Sequence, residues 1–106
     1  GIRLPLMETF SYTASKSAII HLTRHLAKTL VKDNIIVNAI APGPFDSHML
    51  GKAVNFDYSF IAESIPRKRI GSPEDIAGLC LYLCSRAGAY TVGETITCDG
   101  GAVNAT

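Results

Sequence analysis

The sequence is short of several features that assign a protein to a class. It has 106 residues, no tryptophan and a formal net charge of only +1, which excludes the electrostatic footprint of a nucleic-acid or anionic-membrane partner. Its longest unbroken apolar stretch, Leu79 to Cys84, is far shorter than the roughly 20 residues of a membrane-spanning helix. With 47% apolar and 18% charged residues, intrinsic disorder is excluded as well. The length supports at most one compact domain.

The three cysteines, Cys80, Cys84 and Cys98, lack the spacing of a disulfide framework, a zinc site or a redox motif. Their odd number, with no signal-peptide pattern ahead of them, predicts reduced thiols and a cytoplasmic location. Cys80 and Cys84 lie four residues apart on a predicted helix, where we interpret them as small core hydrophobes. Because the chain begins without an initiator methionine, we expect an N-terminal part to precede it.

The first half of the chain has the pattern of a long helix followed by a buried strand. Cap candidates near Thr9 to Ser11 predict the helix start, and Asp33-Asn34 predicts its end, because Asn tolerates a left-handed C-cap. The broad apolar stripe between them predicts a helix that buries more than one side. Ile35 to Ala41 is short, β-branched and almost wholly apolar, which predicts a strand covered on both faces, as in a parallel sheet.

The second half predicts a flap, a helix and a last strand. Residues 44–65 mix aromatic and aliphatic side chains, and we expect a flap with one or two short helices there. Ser72-Pro73-Glu74-Asp75 supplies an N-cap, a first-turn proline and a capping-box acid. Thr95 to Cys98 predicts a strand, which a turn at Asp99-Gly100-Gly101 closes. The alternation of helices and strands predicts the α/β class, with fewer strands than a complete sheet needs.

Tyr12 and Lys16, four residues apart at the start of the first predicted helix, are candidates for acid–base chemistry. Residues at this spacing share a helix face. A cation ~4 Å from the phenol contributes up to about 4 kcal/mol at an effective dielectric near 20, enough to lower a phenol pKa of about 10 by up to ~3 units. The phenol then suits proton transfer near neutral pH. Taken alone, such a pair is more often a surface lysine beside a half-buried tyrosine.

Four motifs in order extend this pattern over almost the whole chain. They are Tyr12 to Ala18 (Tyr-Thr-Ala-Ser-Lys-Ser-Ala), Asn34 to Gly43, Ile65 to Ala77, and Gly93 to Gly101. In this order and at these spacings they resemble the C-terminal half of the short-chain dehydrogenase/reductase family, with its 3-oxoacyl reductases. The resemblance implies the C-terminal part of a doubly wound parallel-sheet Rossmann fold, incomplete in this chain. Residues 1–106 would form half of a single NAD(P)-binding domain.

The resemblance also implies roles for individual residues. Tyr12 corresponds to the catalytic acid/base, and Lys16 to the lysine that binds the nicotinamide ribose and lowers the pKa of the tyrosine. Pro42-Gly43 corresponds to a turn against the nicotinamide, although by itself it is more typical of an ordinary turn that ends a strand. Phe45 would contact the carboxamide through its backbone, and Ser47 would supply a hydroxyl to the cofactor. The implied cofactor is NAD or NADP.

Other parts of the family pattern are missing from the sequence. No glycine fingerprint of a phosphate-binding βαβ unit occurs, and the serine that holds the substrate carbonyl would fall ahead of Gly1. We therefore expect activity only together with the N-terminal half of the same polypeptide. The flap can be read as an apolar pocket wall or as a lid that packs down, and the sequence leaves both open.

Three histidines, His21, His25 and His48, raise the question of a metal site. His21 and His25 are four residues apart on the predicted helix, but neither a third ligand nor an acidic partner accompanies them, so we expect no metal. The basic run Arg67-Lys68-Arg69 is too short to indicate a nucleic-acid partner, and we interpret it as a solvated turn.

The pattern as a whole predicts an NAD(P)-dependent oxidoreductase that interconverts a ketone and a secondary alcohol, with Tyr12 as acid/base. Its partner is a small-molecule carbonyl or alcohol substrate, with no nucleic acid and no membrane. The first helix implies a homodimer or homotetramer, because the corresponding helix of the family packs against its symmetry mate. Two alternatives stay open: a non-catalytic fragment or assembly module of the same fold, and a lyase or epimerase on that scaffold.

Overall fold

The structure, a computed structural model, describes residues 6–46, 48–55 and 57–105, apart from the side chains of residues 6–13, 48 and 49. The helices are α1 (Leu6–Leu30), α2 (His48–Ala53), α3 (Ser59–Ser64) and α4 (Pro73–Cys84), and the strands are β1 (Ala39–Pro42) and β2 (Thr95–Cys98). Short 3₁₀ turns follow α1 at Val31–Asp33 and α4 at Arg86–Gly88. This order confirms the predicted α/β class, and the expectation of one or two short helices within residues 44–65 is met by α2 and α3.

The two strands pair in parallel. The Ala39 N–H donates to the Glu94 carbonyl at 2.9 Å, and the Gly43 N–H donates to the Cys98 carbonyl at 3.0 Å. Both bonds join residues separated by the same number of positions, which is the register of a parallel pair. A parallel pair needs a long crossover, and the segment from residue 43 to residue 94, which contains α2, α3 and α4, supplies it.

The predicted strand over Ile35 to Ala41 is wrong at its start, since β1 begins at Ala39. Asn34 adopts the left-handed conformation, φ 61°, and ends the helical segment as predicted. The next amide, that of Ile35, is still used by the helix exit, because it donates to the Leu30 carbonyl at 3.1 Å. Ile35 and Ile36 are therefore exposed connecting residues, at 48% and 41% of their surface, and a strand begins only where a partner is present.

The described residues form two compact groups, which we describe separately. The first group comprises residues 6–39 and 89–95. Its helix α1 begins at Leu6 rather than near Thr9 to Ser11, because the strong helix formers that follow Pro5 need no cap further along. Thr23 and Ala27 are buried, whereas Leu22 is half exposed. Among the described side chains of α1, the ones at least partly covered by this chain lie along one line of the helix, at positions 16, 20, 23, 27 and 30. The prediction that this helix buries more than one side is therefore wrong for the part of the chain that the structure describes.

The second group comprises residues 40–88 and 96–105. Helix α4 begins at Pro73, and Ser72 is its N-cap as predicted. The N–H and hydroxyl of Ser72 donate to the Asp75 carboxylate at 2.8 and 3.1 Å. The interpretation of Cys80 and Cys84 as core residues is wrong, since both are exposed. The half-buried line of this helix runs through Ile76, Leu79 and Leu83, and helical periodicity leaves the cysteines beside that line. None of the described helices is long and apolar enough to cross a membrane.

Candidate functional site

The candidate acid–base pair lies on the long first helix. Positions 12 and 16 are both within α1, so they are one turn apart on one face, about 6 Å along the axis. The pair begins about two turns into the helix rather than at its start. Lys16 is half-buried, whereas the side chain of Tyr12 lies outside the described residues. The structure therefore places Tyr12 and Lys16 one turn apart on the same helix, as predicted. Their chemical roles stay predictions.

In the first group, the side chain of Asn38 links the segments that precede the two strands. The Asn38 amide donates to the Thr91 carbonyl at 2.9 Å, and its oxygen accepts from the Glu94 N–H at 3.0 Å. The Gly93 N–H adds a bond to the Val37 carbonyl at 2.9 Å. The sequence around Asn38 gives no sign of this role, because neither partner is near it along the chain.

In the second group, the turn after β1 is pressed against the end of β2. A Cβ at Gly43 would come within 2.5 Å of the Cβ and 2.8 Å of the Cα of Asp99. Asp99 is itself held in place, since its carboxylate accepts from the N–H groups of Gly101 and Val103 at 3.0 and 3.1 Å. Glycine at position 43 is thus required by a close approach of two chain segments, which an ordinary turn at a strand end does not need.

The next residue pair, Pro44-Phe45, is bound to a distant part of the chain. The Gly71 N–H donates to the Pro44 carbonyl at 2.9 Å, and the Asp46 N–H donates to the Gly71 carbonyl at 3.0 Å. Phe45 and Gly71 therefore form an isolated parallel bridge, just before helix α4 begins. This bridge places Phe45 at the carboxyl end of β1, the edge of a parallel sheet where ligands of open α/β folds bind.

An open cleft of about 780 Å³ lies beside this turn, within the range of small-molecule sites. Its walls include Ile40, Pro42, Phe45, Leu50, Ala53 and Ile76. Three of the predicted cofactor residues, Pro42, Gly43 and Phe45, are thus brought together on one surface. A further one, Ser47, lies outside the described residues. Leu50 and Ala53 belong to α2, so the flap contributes to the wall of an open cleft, which favours the pocket-wall interpretation over a packed lid.

The flap is tied back to the turn by a polar contact that the sequence did not indicate. The Tyr58 hydroxyl donates to the Asp46 carboxylate at 2.8 Å, and this bond raises the pKa of the Tyr58 phenol. The adjacent Asp57 carboxylate accepts from the hydroxyl and the N–H of Ser59 at 2.6 and 3.1 Å, which lowers the pKa of Asp57. These bonds hold the residues just before α3 next to Asp46.

The basic run after the flap differs in part from its prediction. Arg67 and Lys68 are exposed, as a solvated turn requires. Arg69 instead binds the Asp75 carboxylate with two hydrogen bonds, at 2.7 and 3.1 Å. The Arg69 guanidinium, followed by the Ser72 N–H, holds the pKa of Asp75 well below its ordinary range. A cavity of about 180 Å³ next to this pair is also lined by Phe45 and Gly71, so the ion pair adjoins the bridge.

A metal centre receives no support from the part of the chain that the structure describes. His21 and His25 lie exposed on α1, while the side chain of His48 is outside the described residues. Among the side chains described, no group of three or more His, Cys, Asp or Glu is arranged to hold a metal ion.

Comparisons with known proteins find relatives whose names describe oxidoreductases. A family model described as "Enoyl-(Acyl carrier protein) reductase" matches residues 4–103. The rhamnolipids biosynthesis 3-oxoacyl-[acyl-carrier-protein] reductase of Pseudomonas aeruginosa is 44% identical over 103 residues, 95% of this chain and 40% of the relative. The 2-dehydro-3-deoxy-D-gluconate 5-dehydrogenase of Dickeya dadantii is 44% identical over 95% of this chain and 39% of its own length.

A solved structure gives the same result. The Pseudomonas aeruginosa RhlG/NADP active-site complex superposes with a TM-score of 0.79 at 43% identity, over 88% of this chain and 38% of that one. This likeness confirms the predicted fold class, part of a doubly wound parallel-sheet Rossmann fold. The chain spans about two fifths of the length of the curated relatives it matches.

Proposed function

Because this chain belongs to the short-chain dehydrogenase/reductase family, we propose that it is the acid–base half of an NAD(P)-dependent oxidoreductase. The reaction interconverts a ketone and a secondary alcohol in a small-molecule substrate. The observation that carries the proposal is the cleft at the carboxyl end of β1, where Pro42, Gly43 and Phe45 lie together. A 3-oxoacyl-type ketone is one substrate class in keeping with the relatives.

The described residues fit a nicotinamide group. The cleft is walled mainly by apolar side chains, which suit the faces of a planar ring. Phe45 forms no backbone hydrogen bond of its own with another described residue, so its N–H and carbonyl are available to the amide of the ring. NAD or NADP would supply or accept the hydride when bound, and the remaining chemistry belongs to the protein.

That remaining chemistry is the transfer of one proton and the binding of hydroxyl groups. In reduction, the Tyr12 phenol gives its proton to the carbonyl oxygen as the carbonyl carbon receives the hydride. In oxidation, the phenolate takes the proton from the alcohol as the hydride leaves. The Lys16 ammonium, one helical turn away, favours the phenolate by its charge and binds the ribose hydroxyls. Ser47 supplies a further hydroxyl to the cofactor.

The oxidoreductase acts as a homodimer or homotetramer in this proposal, and α1 forms the contact between subunits. Ile19, Leu22 and Leu26 are 53%, 51% and 37% exposed, and their spacing along α1 places them on neighbouring positions of its surface. Such a row of exposed aliphatic residues is typical of an interface. We also propose that activity requires the N-terminal half of the polypeptide. The three free cysteines fit a cytoplasmic location.

The proposal is tested with Tyr12→Phe in the full-length protein. Coenzyme binding is followed by nicotinamide fluorescence, and turnover is followed by absorbance with a panel of ketones and alcohols. We expect coenzyme binding to persist while turnover is abolished. Tyr90→Phe is the matched control, because Tyr90 is fully exposed, and it should behave as the unmodified protein.

Each other result has a distinct meaning. Coenzyme binding without turnover in the unmodified protein would favour the assembly module over the oxidoreductase. Substrate conversion without net change in the nicotinamide would favour a lyase or epimerase. Undiminished turnover by Tyr12→Phe would refute Tyr12 as the acid/base while leaving the oxidoreductase standing.

A further inference from the structure

The bridge between Phe45 and Gly71 determines which way the backbone of Phe45 faces. Gly71 uses the carbonyl of Pro44 and the N–H of Asp46, the two peptide groups on either side of Phe45. In a trans peptide group the carbonyl and the N–H point in opposite directions, and none of the described peptide bonds is cis. The N–H and carbonyl of Phe45 itself therefore turn away from Gly71. Among the described residues neither has a backbone partner, so both are free for a ligand with one donor and one acceptor.

The side chain of Phe45 explains why residue 71 is a glycine. A Cβ built on Gly71 would overlap the ring of Phe45, and its nearest three atoms all belong to that ring. The φ of Gly71 is not in the left-handed region, so an alanine here carries no backbone penalty. The cost of alanine is thus confined to displacement of the Phe45 ring, and with it the peptide groups on either side.

Gly71 is in turn held from both sides. On one side, Arg69 binds Asp75 with two hydrogen bonds and donates to the Ile70 carbonyl at 3.2 Å. On the other side, the Ser72 N–H donates to the same Asp75 carboxylate at 2.8 Å. The residue that faces Phe45 is therefore anchored to the first turn of α4 and is not free to yield to a larger side chain.

We propose that Gly71 is a positioning residue for the nicotinamide, acting through the bridge that aims the N–H and carbonyl of Phe45 at the carboxamide. The carboxamide offers one acceptor and one donor group, which match this pair. The inference rests on the proposed function and deepens it. It assigns to the loop before α4 a role in coenzyme affinity that residues of the turn after β1 do not carry alone.

The test uses Gly71→Ala in the full-length protein, with Gly78→Ala as the matched control. Gly78 lies on α4, and nothing lies within 4 Å of its potential Cβ. Dissociation constants are measured by fluorescence for the preferred reduced coenzyme and for ADP-ribose or its 2′-phosphate, which lack the nicotinamide. We expect Gly71→Ala to weaken coenzyme binding about tenfold, as the loss of one hydrogen bond would. Its affinity for the ADP-ribose probe should stay equal to that of the control.

A second pair of variants separates positioning from a general loss of structure. In the Phe45→Ala background the ring that the new methyl group displaces is gone, so adding Gly71→Ala should not weaken coenzyme binding further. Equal loss of affinity for coenzyme and ADP-ribose, or additive losses in the double variant, would overturn the inference. So would unchanged coenzyme affinity in Gly71→Ala. Failure of the unmodified protein to bind any coenzyme would refute the proposed function, and this inference with it.

Discussion

The two regions that contain the candidate residues are built in different ways. The Tyr12 and Lys16 positions share one helix, so four residues of sequence determine their spacing. The turn at Gly43 to Phe45 is shaped by residues 71, 98 and 99, which lie far along the chain. The comparison shows that the chemistry of a helix-borne pair can be read locally, whereas the geometry of a binding turn depends on contacts between distant segments.

The strongest test of the helix-borne pair is removal of its charge. In the full-length protein, Lys16→Met should lower turnover at neutral pH by roughly a hundredfold or more, because in the proposed mechanism the phenolate of Tyr12 loses the cation that favours it. If Lys16 favours the phenolate as proposed, its removal makes the phenolate harder to form. The rate of alcohol oxidation, which needs the phenolate, should then increase at higher pH than in the unmodified protein. A pH–rate profile for each protein measures this displacement.

Lys28→Met is the control for this change, because Lys28 is exposed in the last turn of the same helix. It removes one positive charge from α1 without affecting the candidate pair. If both variants displaced the profile equally, the effect would come from the net charge of the helix. A turnover that Lys16→Met leaves unaltered would remove the lysine from the proposed mechanism.

A substitution in the turn after β1 should lower the unfolding free energy. Gly43→Ala brings a Cβ to 2.5 Å from the Cβ of Asp99, and overpacking of this kind typically costs ~1–3 kcal/mol of unfolding free energy. The control Gly78→Ala replaces a helical glycine in open space, so it should be neutral or more stable by up to about 1 kcal/mol. Urea unfolding of the two full-length variants gives the difference. Equal stabilities would contradict the close approach of residues 43 and 99.

Asn38 is intermediate between the helix-borne pair and the turn. It is a single side chain, but it joins segments that are distant along the chain. Asn38→Ala removes the bonds to the Thr91 carbonyl and the Glu94 N–H, and we expect a loss of about 1–2 kcal/mol of unfolding free energy. Asn38→Asp keeps an acceptor for Glu94 but loses the donor for Thr91, so its stability should be intermediate. Asn104→Ala, at an exposed position, is the control, and a loss no greater than in that variant would discount the role of Asn38.

What the sequence could predict follows the same division. The N-cap at Ser72, the helix end at Asn34 and the strand at Thr95 to Cys98 depend on neighbouring residues, and the structure confirms each. The start of β1 was wrong because a strand begins where its partner does, at a distance of 55 residues along the chain from Ala39 to Glu94. Gly71 gave no local signal, since its requirement comes from the ring of Phe45.

Asp75 combines both kinds of contact in one carboxylate, and its ionisation offers the finest of these tests. Its bond to Ser72 was predicted from the sequence, whereas its bonds to Arg69 were not. The Arg69 guanidinium holds the pKa of Asp75 below its ordinary value. The carboxylate therefore stabilises the fold above the unfolded-state pKa of about 4, and this contribution is lost as the pH falls through the lower folded-state pKa.

We expect the melting temperature of Asp75→Asn to lie below that of the unmodified protein at neutral pH and to converge with it in acid. Arg69→Leu breaks the ion pair and the bond to the Ile70 carbonyl but keeps the Ser72 cap. In that background, the pH at which Asp75→Asn stops lowering the melting temperature should move up towards the pKa of an ordinary carboxyl. Salt should reduce the difference, because the pair is partly exposed. If Arg69→Leu left the fall of melting temperature in acid at the same pH, the bond from Ser72 alone would account for the low pKa of Asp75. The contact with the neighbouring Ser72 would then outweigh the contact with Arg69.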